Sequence, residues 1–164
     1  MKAITRSRIY LPMAAMILTA GLAFPEAAQN RVPFKGTLQG NDTDTCFSFP
    51  ILCVATNGTG IGAHLGQFSF TINNAVNVTN GTDQGTATLT AANGDNITAT
   101  FTGSGEPTAD PNMFSITEVY TITGGTGRFE GAQGSFILER LASGVTFLTS
   151  GSFHGTITAP RANH

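Results

Sequence analysis

Between Val32 and Thr158 apolar side chains alternate with threonine or serine, and no window carries a sustained 3.6-residue apolar period. Successive side chains of a strand point to opposite faces, so this chain builds strands with one oily face and one hydroxyl face. The stretch from Phe114 to Arg140 shows the pattern best. Phe114, Ile116, Glu118, Tyr120 and Ile122 share one face, and Ser115, Thr117, Val119, Thr121 and Thr123 share the other. A second run places Phe136, Leu138 and Arg140 together. Between the two runs lie Gly124, Gly125, Gly127, Gly131 and Gly134, which suit tight turns and close backbone approach. Glu118 and Arg140 are the charged exceptions on otherwise apolar faces.

The same alternation recurs along the chain. Val32, Phe34, Gly36 and Leu38 form one face of a first strand. Phe47 and Phe49 extend a short piece that Pro50 stops or leaves on an edge, and Leu52 and Val54 follow. Phe68, Phe70 and Ile72 face away from Gln67, Ser69 and Thr71. Ala87, Leu89 and Ala91 pair as a hairpin with Ile97, Ala99 and Phe101 around Asn93-Gly94, a dipeptide suited to positive φ. Gly103 to Pro111 reads as a loop by composition. After Arg140, a turn around Ala142 to Gly144 leads into Val145 and Phe147, and the last strand carries Phe153, Gly155 and Ile157. With no helix to cover the apolar faces, a sheet of about eight sequential antiparallel strands buries them by closing on itself, which also removes its edges. The fold class is all-β, an antiparallel up-and-down barrel over residues 32–159 with a tail at 160–164. A two-sheet sandwich is the structural alternative.

The front end is a signal peptide by pattern, with an uncleaved N-terminal anchor as the alternative. Lys2, Arg6 and Arg8 precede the mostly apolar run Ile9 to Leu22, and Gly21-Leu22-Ala23 fits a cleavage site, with cleavage after Ala28 as the alternative. Residues 1–23 are therefore set apart from the fold, and the mature chain is expected to be secreted or periplasmic. Their removal takes away three of the eight basic residues and none of the ten acidic ones, a net charge of −5. That disfavours nucleic acid and anionic membranes as partners, and no later stretch is long enough for stable membrane insertion. Cys46 and Cys53 are too far apart for a C-x-x-C redox motif. In an exported chain they read as a structural disulfide closing a small loop, with two free buried thiols as the alternative. Two cysteines and three scattered histidines make no metal site.

The string ITGGTGRFEGAQGS, Ile122 to Ser135, resembles the glycine-rich segment of allene oxide cyclases and dirigent proteins. In that superfamily an ITGG-like strand end runs into G-x-F-x-G-A-x-G, matched here by Gly127, Phe129, Gly131, Ala132 and Gly134. The resemblance implies an eight-stranded, calycin-like antiparallel barrel, often a trimer. It also implies a hydrophobic small molecule bound in the lumen, with cyclisation, isomerisation or coupling steered without a cofactor. The family's catalytic residues cannot be matched one by one outside this segment.

The candidate catalytic group is Glu118 with Tyr120 and Arg140. A carboxylate on an apolar, lumen-facing surface is desolvated, and can act as a general acid or base or steer a cationic centre. The structural reading is an internal ion pair between Glu118 and Arg140, or a register that leaves Glu118 wet near the barrel mouth, with Tyr120 filling space. Candidate ligand-lining residues are Phe34, Phe68, Phe101, Ile116, Phe136 and Phe147. His64 and His154 read as rim or surface residues. Two functions stay open: a barrel that binds an apolar small molecule, as a cofactor-free cyclase or isomerase if it catalyses at all, and a non-enzymatic structural or interaction protein whose barrel is packed solid. Cavity volume near Glu118 and Tyr120 separates them.

Overall fold

The computed structural model describes residues 30–160. The expected signal peptide and residues 161–164 of the tail lie outside them. Eight strands follow one another: β1 (Arg31–Ser48), β2 (Ile51–Gly62), β3 (Gly66–Asn77), β4 (Thr82–Ala91), β5 (Asn96–Pro107), β6 (Met113–Gly125), β7 (Gly134–Ser143) and β8 (Leu148–Thr158). Each pairs antiparallel with the next, and β8 returns to pair with β1, closing the barrel. No helix of the described residues is long and apolar enough to cross a membrane.

Closure follows from the alternation. Phe34, Phe68, Phe101, Leu138, Phe153 and Ile157 are buried in the lumen, while the intervening Thr, Ser and Gln residues face outward. An apolar lumen under a hydroxyl-rich exterior is the reverse of a lipid-facing barrel. The register explains how so many rings fit. Phe153, Phe68, Phe101 and Phe136 each lie opposite a glycine on the next strand, namely Gly36, Gly60, Gly85 and Gly155. A Cβ at any of these glycines would run into its phenylalanine or the backbone beside it. Large rings over vacant positions thus fill the barrel. Phe34 meets Phe136 edge-on at 5.3 Å between centroids, and Tyr120 stacks between Phe101 and Phe136 at 4.6 Å from each.

The two ends differ. At one end the glycine-rich connection folds a short 3-10 turn, Gly127–Phe129, that drops Phe129 and Ala132 into the core beside the buried Leu65. At the other end the strands carry polar residues inward, and β1 and β2 overhang as a hairpin stapled by a disulfide between Cys46 and Cys53. The free-thiol alternative is thereby set aside.

Three local expectations need correction. Gly103 to Pro107 continues β5, because its backbone pairs with Phe114–Glu118 of β6; only residues 108–112 form the loop. Phe47 belongs to one long β1 rather than a separate piece. Val145 and Phe147 are not strand residues. They form the β7–β8 turn, where Ser143 Oγ accepts from the Val145 and Thr146 N–H groups and Phe147 takes φ 58°.

Candidate functional site

The lumen divides into an aromatic half and a polar half, and Glu118 sits where they meet. Parity on β6 aims Glu118 and Tyr120 inward, and Leu138 lies directly opposite Glu118 on β7, one inward step from Arg140. Arg140 Nη2 donates to Glu118 Oε1 at 2.9 Å and its Nε donates to Oε2 at 3.3 Å. The Tyr120 hydroxyl donates to the same Oε2 at 3.0 Å. Glu118 has no exposed surface at all, and Tyr120 has 1%. The three candidate catalytic residues therefore do come together, with Tyr120 and Arg140 both bonded to Glu118.

The network continues towards the open end through residues that the sequence reading did not single out. Arg140 Nη1 lies 3.6 Å from Asp42 Oδ2 and donates to Thr149 Oγ1 at 3.3 Å. Thr56 donates to Asp42 Oδ1 at 2.6 Å. Asn74 Nδ2 is 3.5 Å from Asp83 Oδ2. Parity was the available signal: Asn74 extends the inward series Phe68, Phe70, Ile72, and Asp83 precedes Gly85, Ala87 and Leu89.

Two carboxyls meet across a glycine. Gly103 lies opposite Asp83 on one side and Glu118 on the other. A Cβ there would stand 2.6 Å from Asp83 Oδ1 and 2.8 Å from Glu118 Cγ. Burial pushes the Asp83 carboxyl up to about 7, and the Glu118 charge and a hydrogen bond to Glu118 push the same way. As acceptors, Asp83 Oδ1 and Asn74 Oδ1 have no donor in reach. A proton on Asp83 turns one such oxygen into a donor. Burial likewise raises the Tyr120 phenol and keeps it protonated. Burial opposes the Arg140 charge, but Glu118 and Asp42 outweigh it and its pKa is raised.

The expected ligand-lining residues fare unevenly. Phe34, Phe68, Phe101 and Phe136 line the lumen but fill it, and Ile116 is half-buried nearer the open end. Phe147 is a correction: it lies in the β7–β8 turn, 44% exposed, outside the lumen. A turn is needed there because β7 ends at Ser143. The principal depressions do not reach Glu118 or Tyr120. A broad groove of about 1290 Å³ is open to solvent and lined largely by outward residues such as Thr37, Gln39, Thr59, Gln67 and Ser150. His64 and His154 are exposed, as expected, and no cluster of metal-ligating side chains occurs among the described residues. Comparison with family models, with curated proteins and with solved structures finds no match to the chain in any of the three.

Proposed function

We propose that this chain is an exported, non-catalytic barrel whose lumen is structural and whose work is done by its outer surfaces. One observation carries the reading. The groups best suited to act on a substrate, Glu118, Tyr120 and Arg140, are buried and bonded to one another, and Tyr120 is clamped between Phe101 and Phe136. A ligand in the lumen would have to displace packed rings and break a desolvated ion pair. Export is supported by the basic and apolar front end and by the Cys46–Cys53 disulfide.

The test is a titration of the mature protein with apolar, ring-containing compounds, followed by NMR of the Phe101, Tyr120 and Phe136 ring protons. No saturable shift is expected. Saturable shifts at those rings would overturn the reading.

A second reading is a small-molecule binder, with or without cyclase or isomerase chemistry, as the glycine-rich resemblance implies. It is favoured by Asn74 Oδ1, a buried acceptor with no protein donor, which a ligand hydroxyl or ammonium would satisfy.

A further inference from the structure

The barrel is closed, yet one stretch of strand edge is bare. β1 pairs with β8 only as far as Asn41 opposite Leu148, whereas its pairing with β2 runs on to Ser48 opposite Ile51. The Asp42 N–H donates to Phe147 O at 2.8 Å, and beyond it residues 43–48 have a strand on one side alone. An edge of this kind offers a row of backbone donors and acceptors to any extended chain.

The edge is also held in place. The Cys46–Cys53 bridge ties β1 to β2 across the overhang. β2 stays paired with β3 up to Ile51 opposite Asn77, and the Val78 N–H donates to Pro50 O at 2.9 Å. Little ordering entropy remains to be lost on binding. Flanking side chains are apolar and strongly exposed: Phe47 and Phe49 are 64% and 75% exposed, with Val145 and Phe147 on the neighbouring turn.

Charge decides what fits. Asp42, Asp44, Glu106 and Asp110 all lie on this half of the barrel, and its one cation among the described residues, Arg140, is buried against Glu118 and Asp42. Arg31, Lys35 and Arg128 lie on the other half. A second copy pairing through the same edge would bring Asp44 against an equally acidic strand, which is unfavourable. An anionic bilayer is repelled for the same reason.

We propose that the edge of residues 43–48 is a docking site for an extended segment of another protein that carries Lys or Arg beside apolar side chains, added as a strand alongside β1. Backbone hydrogen bonds give this contact its affinity. Asp44 selects basic side chains, and Phe47 and Phe49 cover apolar ones. The proposal rests on the reading of the barrel as an interaction protein.

The test uses the full mature chain and two synthetic probes, a ten-residue peptide of alternating lysine and valine and its glutamate–valine counterpart. Expected is saturable binding of the lysine peptide alone, with amide shifts confined to residues 42–50 and 144–148. Asp44→Lys should weaken it at least tenfold. Asp44→Pro, which removes the edge N–H next after Asp42 on that side, should do the same, and Glu139→Gln on the barrel wall should leave it unchanged. Asp44→Lys touches no core residue, so it remains informative if Asp44→Pro fails to fold. Four results would overturn the proposal: equal binding of both peptides, shifts mapped elsewhere, peptide-free dimerisation through residues 43–48, or phosphatidylcholine/phosphatidylserine vesicle binding through Phe47 and Phe49. Where the Phe101, Tyr120 and Phe136 rings stay unmoved, this proposal fails and the packed-lumen reading stands; shifts at those rings overturn that reading as well.

Discussion

Arg140 grips Glu118 with two nitrogens, Nη2 to Oε1 at 2.9 Å and Nε to Oε2 at 3.3 Å, inside a barrel that leaves the carboxylate no contact with water. Bidentate geometry makes this the strongest kind of charge-assisted contact. The desolvation both partners suffer makes its net worth to stability small. What the pair does unambiguously is forbid the loss of either member alone.

Arg140→Met should therefore destabilise the barrel by about 3–5 kcal/mol, since Glu118 is left buried and uncompensated. Glu118→Gln with Arg140→Met should recover much of that loss. Urea unfolding of the three proteins checks it. Equal midpoints for Arg140→Met and the double variant would show that the penalty is lost packing, not stranded charge.

Asp83 gives the fold a pH dependence of unusual sign. Its carboxyl titrates near 4 when the chain is unfolded and at about 7 in the barrel, beside Glu118, Arg140 and Asn74. Between those values the folded form holds the extra proton. This contribution is complete below about pH 4, falls as pH rises through the interval, and is gone above about 7. With water reaching the open end, the change should be on the order of 1–2 kcal/mol. Denaturant midpoints across pH 4 to 8 should slope downward for the native protein and flatten for Asp83→Asn. An unchanged slope would place the titration on another group.

The fold was legible in the sequence because its main signal is local. Period-two alternation needs no partner to be read, and it assigned Phe34, Phe68, Phe101 and Phe153 to the lumen. What it left out depends on register. The facing of each phenylalanine by a glycine across the sheet, and the meeting of Asp83 with Glu118 over Gly103, exist only once strands are aligned. Phe147 shows the opposite failure. Its place in the alternation is genuine, but a strand cannot continue through residues whose backbone must reverse.

Gly103 is the cheapest probe of that meeting. Gly103→Ala inserts a methyl between Asp83 Oδ1 and Glu118 Cγ, and against Thr117 O, all within 2.8 Å. Overpacking of this kind costs about 1–3 kcal/mol. It should also separate the two carboxyls and shift the Asp83 titration towards its ordinary range. Gly94→Ala is the control. Its φ of 90° strains an alanine, but nothing lies within 4 Å, so about 1 kcal/mol should be lost with no change in pH profile.

The disulfide should matter for the overhang and not for the barrel. Closing a loop of this length is worth about 2–3 kcal/mol in the chain-entropy picture. That figure applies only to a unit that unfolds together, and Cys46 and Cys53 pair beyond the point where β8 leaves β1. Replacing both by serine should leave the main thermal transition within a few degrees of its native value. Amide exchange should meanwhile speed up across residues 42–55, where the hairpin has lost its staple, and the lysine–valine peptide should bind more weakly because the edge must now be ordered at binding. If the whole barrel instead melts at a much lower temperature, the hairpin is part of the cooperative core, and the edge at residues 43–48 is there to complete the fold and not to receive a partner.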